Sequence, residues 1–521
     1  MPNVVIRADA SESLGSGHVR RCLALAEVLV AQGCSVLFVC REHKGHLCDL
    51  VQHRGFRVGR LPLCSTFAAR STAGGSPDSR ASLLGASWEA DWQQTCALIG
   101  TYSVSRPSWL VVDHYAIDHR WESASRESAE RIMAVDDLAD RVHDCDVLLD
   151  QNLVADMGER YASKVPDHCR ILSGPRFALL QSEYAGMRQC LSPRRGAVRS
   201  VLISFGGTDS ENLTGRCLSA FLSLRRSQIR ADVVITSFFP HADSVLRLAE
   251  GHENVRVHRD LPTLACLIAA ADLGVGAGGG TSWERLCLGL PSLVITSAEN
   301  QSATAEEQHR LGLIRWLGHA SAVDEGIVAH ELERLFNVGL EEAWRLRCLR
   351  AVDGRGAFRT TAAMLVGPST ALRVRHAQLD DEALLLEWAN DPRTRRNGFS
   401  ADPIPAEDHR RWLSNRLLNV DGCRLYIVET TAGVPVGPVR FERLGGDWEV
   451  HYALAPEFRG RGLGKTHLNA ALVQLRAELG SVMVCGRVKQ DNRASQRVFV
   501  ALGFQARRGP VDGVLIYSRE A

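Results

Sequence analysis

The chain has 521 residues, room for three to four domains at about 150 residues each, so it is neither a peptide hormone nor a single small module. Hydrophobic residues make up 45% and charged residues 23%, an ordinary globular composition, and 61 Lys+Arg against 60 Asp+Glu leave a formal net charge of +1. With no block of like charge along the chain, nucleic acid is not an expected partner.

An apolar run at 4–6 predicts the first strand, and a glycine turn at 15–17 opens a helix expected over 19–31. The run CSVLFVC at 34–40 predicts the next strand, and residues 69–87, rich in Ser, Gly and Ala, read as an exposed insertion. Strands are expected at 109–113, 131–136 and 147–150, each continuously apolar, the pattern of a parallel strand covered on both faces. Strand-helix alternation implies a doubly wound sheet, placing a Rossmann-like domain at 1–190. A second series at 201–205, 231–235, 255–258, 272–276 and 292–296 marks a like domain at 191–366. After the linker-like VGPSTALRV, a third α/β domain is expected at 372–521. Its order is a strand, helices, a meander, a strand at 450–455, a glycine-rich turn and a helix over 466–479.

The stretch 262–279 comes closest to a spanning helix but is interrupted by Asp272, short of the about 18 apolar residues required. The start, MPNVVIRAD, lacks the basic, apolar and small-residue pattern of a secretory leader. None of the 15 cysteines lies within three residues of another, which argues against a disulfide framework and against CxxC metal sites. A cytoplasmic protein with no membrane insertion and no metal is therefore expected. Lys44, Lys164, Lys465 and Lys489 are the only lysines; the abundance of arginine is read as codon usage, not phosphate binding.

The turn Gly15-Ser16-Gly17-His18 directs backbone N–H groups and a helix N-terminus into any cleft above the sheet, which suits a phosphate or a polarised water. His18 fits either a structural histidine or a general base titrating near neutrality. Asp113-His114-Tyr115 and Asp136-Asp137 follow apolar strands, at carboxyl ends where open α/β sheets bind ligands, although each also fits a turn or helix cap. Gly206-Gly207-Thr208-Asp209 and the GAGGGTS run at 276–282 supply two glycine-rich turns suited to a diphosphate. Neither continues with Lys-Ser/Thr, which disfavours a P-loop ATPase. Glu284, early in the next helix, fits ribose hydroxyls or simple complementarity to the helix dipole.

In this order, IRADASESLGSGHVRR, VVDHYAID, DDLADRVHDCDVLLDQN, GPRFALL, ISFGGTD, GGGTSWERLCLGLP and AENQ resemble the sugar-nucleotide hydrolases of bacterial pseudaminic acid synthesis, over residues 3–360. That family is similar to GT-B glycosyltransferases, so the resemblance implies a GT-B-like pair of Rossmann-type domains with UDP held mainly by the second. It implies hydrolysis of UDP-2,4-diacetamido-2,4,6-trideoxy-β-L-altropyranose to free sugar and UDP, with His18 as catalytic base. Asp113, His114 and Tyr115 then orient sugar and base. Gly17, Arg21, Gly206, Gly207, Thr208, Asp209, Gly280, Ser282, Glu284, Asn300 and Gln301 are the expected substrate and UDP contacts.

In the third domain Arg459-Gly460-Arg461-Gly462-Leu463-Gly464-Lys465 fits Arg/Gln-x-x-Gly-x-Gly/Ala, the pyrophosphate loop of GNAT acetyltransferases, and Asn492, Ser495, Phe499, Gly503 and Phe504 fit their second motif. N–H groups at such a helix start can bind the pyrophosphate of CoA, so the resemblance implies acetyl-CoA as cosubstrate, held by residues 459–465 and Asn492. The stretch LLLEWANDPRTRRNGFS resembles the sugar-amine acetyltransferases of the same pathway, with Trp388-Ala389-Asn390 where those commonly show Trp-Arg-Asn. Phe499 stands where many GNAT enzymes carry a tyrosine that reprotonates the CoA thiolate, which leaves Tyr517, water or no dedicated acid. Glu449, His451 and Tyr452 are candidates to remove the amine proton, or else ordinary alternation on a strand. Acetylation of UDP-4-amino-4,6-dideoxy-N-acetyl-β-L-altrosamine followed by hydrolysis would be consecutive reactions. The alternatives are a legionaminic-type nonulosonate substrate, a glycosyltransferase, or a sugar-nucleotide or acetyl-CoA sensing protein.

Overall fold

The first strand, β1 (Asn3–Ala8), is buried from its second residue on, and it feeds through the Gly15 turn, at φ +75°, into the helix Gly17–Ala31. Gly33, at φ +80°, provides the left-handed residue that stops this helix. The computed structural model describes residues 2–64, 79–102, 106–207, 209–367, 370–400, 402–431, 433–508 and 513–521. They form two compact units, Met1–Thr361 and Ala362–Ala521, with the helix Gly356–Leu365 running across the division.

The first unit holds two parallel sheets. β1, β2 (Ser35–Arg41), β3 (Arg57–Leu61), β4 (Trp109–Asp113), β5 (Ile132–Val135), β6 (Val147–Asp150) and β7 (Arg170–Ser173) are ordered β3-β2-β1-β4-β5-β6-β7. β8 (Ser200–Ser204), β9 (Arg230–Ile235), β10 (Val255–Arg259), β11 (Leu273–Ala277), β12 (Ser292–Thr296) and β13 (Arg315–His319) are ordered β10-β9-β8-β11-β12-β13. Strand order reverses between β1 and β4 in one sheet and between β8 and β11 in the other, and such switch points are where doubly wound sheets open a crevice. These are the two Rossmann-type sheets expected from the strand-helix alternation.

In the second unit β14 (Leu372–His376), β15 (Cys423–Thr430), β16 (Pro435–Leu444), β17 (Asp447–Tyr452), β18 (Met483–Lys489), β19 (Gln505–Arg508) and β20 (Val514–Glu520) make one sheet, β14-β15-β16-β17-β18-β20-β19. Its neighbours are antiparallel except β17 and β18, which run parallel and pair only at Trp448↔Val484 and Glu449↔Cys485. Beyond Glu449 the two strands have no ladder between them. The inner face, with Tyr426, Phe441, Val450, Leu468, Leu472 and Phe499, packs sheet against helix.

Two expectations need correction. Residues 69–78 of the supposed exposed insertion lie outside the described residues, but 79–87 is not simply an exposed loop: a helix, Ser79–Leu84, ends on Leu84 at 1% exposure, and Ala86 after it is at 0%. The strand expected at 450–455 is β17, which starts at Asp447 and ends at Tyr452 because its register is set by β16, Tyr452 facing Val439.

Candidate active sites

At the switch point of the first sheet, the helix start after β1 and the end of β4 bring His18 against Asp113. His18 Nδ1 lies 2.6 Å from Asp113 Oδ1, and both side chains are buried. Burial opposes ionisation of Asp113, but the charges of Arg21 and His18 and their hydrogen bonds hold its carboxyl well below the usual range. A carboxylate at Nδ1 fixes the tautomer with the proton there and leaves Nε2 as the basic nitrogen. Tyr115 stands edge-on to the His18 ring, centroids 4.5 Å apart. Its hydroxyl lies 3.4 Å from Asp137 Oδ2 and 3.5 Å from Asn300 Nδ2, so a group after β4 meets one from the second sheet.

Arg21, expected as a substrate or UDP contact, is engaged within the fold. Its Nε and Nη2 donate to Asp113 at 2.7 and 2.6 Å, and Nη1 donates to Asp137 at 2.9 Å, so two carboxylates clasp the guanidinium. His114 is also corrected: alternation at the end of β4 turns it away from His18. Its Nδ1 accepts from the Ala116 N–H at 3.0 Å, and Nε2 faces Asp9 at 3.5 Å. Burial, reinforced by Arg7, pushes His114 down to about 3, so it is a neutral member of a buried network with Arg7, Asp9, Arg41 and Asp91. Asp137 sits at the centre of the constellation; sequence reading noticed it as a strand end but gave it no role.

In the second sheet the glycine turn after β8 faces the one after β1: a Cβ on Gly207 would lie 3.8 Å from Ser16 Oγ. Gly206 takes φ +89°, and Gly17, Gly206 and Gly280 have open space where a Cβ would stand. Gln301 packs over the turn after β11, closest to Gly278 and Gly279. Glu284 is in hydrogen-bonding contact with Tyr184 and feels the charge of Arg20, and burial pushes its carboxyl up. Two other expected contacts are used internally. Asp209 accepts from the N–H groups of Leu213 and Thr214, both at 2.8 Å, so its carboxylate is spent on the helix Leu213–Ser223. Ser282, 1% exposed, donates to the Ala277 carbonyl at 3.3 Å and accepts from Arg285 at 3.0 Å. Thr208 lies outside the described residues.

In the second unit Gly460 (φ +76°) and Gly462 (φ +74°) shape the turn into the helix Leu463–Leu479, which no side chain caps. Gly464 must be small because its Cβ would come within 2.7 Å of Val498 Cγ2, and Lys465 is exposed in the first turn. Uncapped N–H groups at a helix start suit an anion such as a pyrophosphate, the role expected for this loop. The two arginines of the loop, expected at acetyl-CoA, are engaged within the fold. Arg459 donates to the Leu454 carbonyl, Asp391 and Thr394 at 2.9, 2.6 and 2.9 Å. Arg461 donates to the carbonyls of Ala362, Ala363 and Val366 at a helix end. Asn492 accepts from the Ser495 N–H at 3.2 Å and caps the helix Arg493–Ala501.

On the opposite face of this sheet, alternate residues of β16, β17 and β18 form a charged cluster. Arg487 donates to Glu449, Arg416 pairs with Glu442, and Arg440 stacks on Trp412 at 5.2 Å. His451 Nε2 stands 3.8 Å from Glu449 and 3.9 Å from Glu442, outside hydrogen-bond reach. Burial and the charge of Arg440 push His451 down to about 4, so its imidazole is neutral at pH 7. Arg416, Arg440, Glu442 and Arg487 were missed, although Arg440-Glu442 and Glu449-His451 show the period-two signal of one strand face. Tyr452 lies on the inner face beside Ser495 and Phe499, and burial pushes its phenol up to about 12. Tyr517 is buried and stacked on Phe499 at 5.1 Å and 15°.

Among the described residues no group of three or more His, Cys, Asp and Glu is placed to hold a metal ion, and no helix is long and apolar enough to cross a membrane. An acetyltransferase (GNAT) domain matches residues 371–505. A UDP-2,4-diacetamido-2,4,6-trideoxy-beta-L-altropyranose hydrolase of Campylobacter jejuni is 25% identical over 303 residues, 58% of this chain and 94% of its own. The spore coat polysaccharide biosynthesis protein SpsG of Bacillus subtilis is 26% identical over 204 residues, 38% of this chain and 59% of its own. An uncharacterized protein of Methanocaldococcus jannaschii, MJ1062, is 21% identical over 530 residues, 99% of each chain. The chain is thus an enzyme that joins a GNAT acetyltransferase domain to a unit of two Rossmann-type sheets similar to a UDP-sugar hydrolase.

Proposed function

We propose that the chain is a cytoplasmic bifunctional nucleotide-sugar enzyme of pseudaminic acid synthesis. The second unit acetylates the 4-amine of UDP-4-amino-4,6-dideoxy-N-acetyl-β-L-altrosamine with acetyl-CoA. The first unit hydrolyses the product, UDP-2,4-diacetamido-2,4,6-trideoxy-β-L-altropyranose, to free sugar and UDP. Residues 1–190 supply the base, 191–366 the nucleotide site and 372–521 the acetyltransferase. The observation that carries the hydrolytic reading is the His18–Asp113 pair at 2.6 Å, facing the second sheet's open glycine turn.

In the hydrolysis, His18 Nε2 takes a proton from water while the water oxygen bonds to the anomeric carbon on the face opposite UDP. The C1–O bond breaks, its electron pair leaves with the β-phosphate, and the sugar is released with inversion. Backbone groups of Gly206, Gly207 and Gly280 stand where open space admits a diphosphate, and Glu284 is available to ribose hydroxyls. In the transfer, neutral His451 accepts the amine proton as nitrogen attacks the thioester carbonyl; the C–S bond then breaks, the acetyl group stays on nitrogen and CoA leaves as the thiolate, while Arg487 holds Glu449 beside the imidazole. Acetyl-CoA lies along the turn at 460–465 and between β17 and β18.

A time course with the UDP-4-amino sugar, with and without acetyl-CoA, resolved by chromatography and mass spectrometry, tests both steps. Acetylated UDP-sugar should precede free sugar and UDP, and in H2(18)O the label should enter the sugar. Label in UDP instead would show cleavage at phosphorus and sink the role given to His18.

A further inference from the structure

We infer that Arg21 is a positioning residue that keeps His18 in its proton-accepting form, by holding Asp113 against His18 Nδ1 while offsetting that carboxylate's charge. The inference rests on the hydrolytic reading above. An aspartate alone at this distance would orient the imidazole, but it would also favour the imidazolium, which is no base. Arg21 separates the two effects. Its Nε and Nη2 occupy both oxygens of Asp113, at 2.7 and 2.6 Å, and Nη2 stands 3.2 Å from His18 Nδ1. Because the Nδ1 proton points at Asp113, that last contact is donor against donor, and it is unfavourable to a second positive charge on the ring.

The other groups around His18 leave this balance to Arg21. From its own helix, the Cys22 thiol lies 3.4 Å from Asp113 Oδ2, and burial first, then Asp113, keeps it protonated. After β4, Tyr115 is edge-on to the ring, and burial with the charge of Asp137 keeps its phenol protonated. His114, also after β4, is neutral and faces Asp9, whose charge Arg7 answers in a bond of 2.5 Å. After β5, Asp137 takes the remaining edge of Arg21 at 2.9 Å. From the second sheet comes Asn300, uncharged. Beside a neutral His18 the clasp of Asp113, Arg21 and Asp137 therefore carries a net single negative charge; without the guanidinium it would carry two.

Arg21→Gln should cut hydrolysis at neutral pH and move the acid limb of its kcat/KM profile up by about one pH unit. Arg21→Lys keeps the charge but loses the bidentate clasp, so kcat falls while the limb stays within about 0.3 units of wild type. A merely structural arginine would lower the whole profile without moving its limb. Histidine-selective carbon-13 NMR of the full chain, with the His18 resonance assigned by its loss in His18→Asn, reads the same titration without turnover. It therefore separates failure of this inference from failure of the hydrolytic reading. A His18 midpoint in Arg21→Gln equal to or below that of wild type overturns the proposal. If that variant does not fold, a midpoint displaced by a full unit in Arg21→Lys overturns it and an unmoved one supports it.

Discussion

His143 is a buried histidine that the fold charges. Its Nδ1 lies 2.8 Å from Glu122 Oε1 and its Nε2 3.8 Å from Asp136 Oδ2, with the side chain 2% exposed. Burial opposes the charge, but the two carboxylates, Asp136 and the hydrogen-bonded Glu122, prevail and push it from 6.5 up to about 9. A folded value above the unfolded one means that the native state binds the proton more tightly, so the contribution is complete below the unfolded value and disappears as pH rises through the folded one. A gap of about 2.5 units is worth about 3 kcal/mol, of which about 2.5 kcal/mol is lost between pH 7 and pH 10. His143→Gln removes the titration but keeps a donor for Glu122. Urea unfolding of wild type and variant should be followed by tryptophan fluorescence at pH 7, 8.5 and 10, since seven of the ten tryptophans lie in the first unit. Other alkaline titrations are common to both proteins and cancel in the difference. The variant should be less stable at pH 7, and the gap should close by about 2.5 kcal/mol at pH 10. A gap that stays constant with pH would refute a charged His143.

Asp113→Asn removes the charge that holds the His18 tautomer and leaves Arg21 short of a partner, so UDP-sugar hydrolysis should fall by about 10²- to 10⁴-fold with acetyl transfer unchanged; a loss within about threefold would remove Asp113 from the mechanism. His451→Gln should lower kcat for acetyl transfer by about 100-fold while calorimetric affinity for acetyl-CoA stays at the wild-type value, and an unchanged kcat would move the base elsewhere. Gly486→Ala places a Cβ 2.5 Å from Phe499 Cζ and should destabilise the second unit by about 1–3 kcal/mol, most of it recovered when combined with Phe499→Leu. Additive costs in that double mutant would place the strain elsewhere.

The strands legible in the sequence are mostly those covered on both faces. β4, β6 and β12 fall on the predicted residues because each is a continuous run of buried side chains. β3, β7 and β13 were missed; each starts at an arginine and lies at the edge of its sheet, where one neighbour suffices and the apolar run is interrupted. The site shows the same division. That Asp113 would lie at a carboxyl end could be read locally, whereas its meeting with a histidine 95 residues away depends on the β1–β4 pairing. Asp209, Ser282 and Asn492 have the residue types of ligand contacts, but Ser and Asx side chains satisfy local backbone just as well, and here they do so.

Arginine abundance gave no licence to infer phosphate sites, and the structure supplies a physical use for it. A guanidinium presents five donors in a plane, so one side chain can satisfy several carbonyls left over at helix ends, which a lysine ammonium cannot match in geometry. Arg194 does this inside the second sheet's domain, donating to the carbonyls of Ala271, Ile268, Ala269 and Leu288. Arg188 donates to those of Cys287, Leu349 and Val352, and Arg461 to three more. Such pairing is costly in charge: burial, with Arg345 nearby, pushes Arg194 down to about 10. The cost is tolerated because each carbonyl would otherwise be a buried acceptor without a donor. Arg459 and Arg461 therefore brace the glycine turn through the main chain and side chains around it, while Lys465 stays exposed. A basic loop motif thus indicates the path of the backbone around a ligand more dependably than it indicates which side chains touch it.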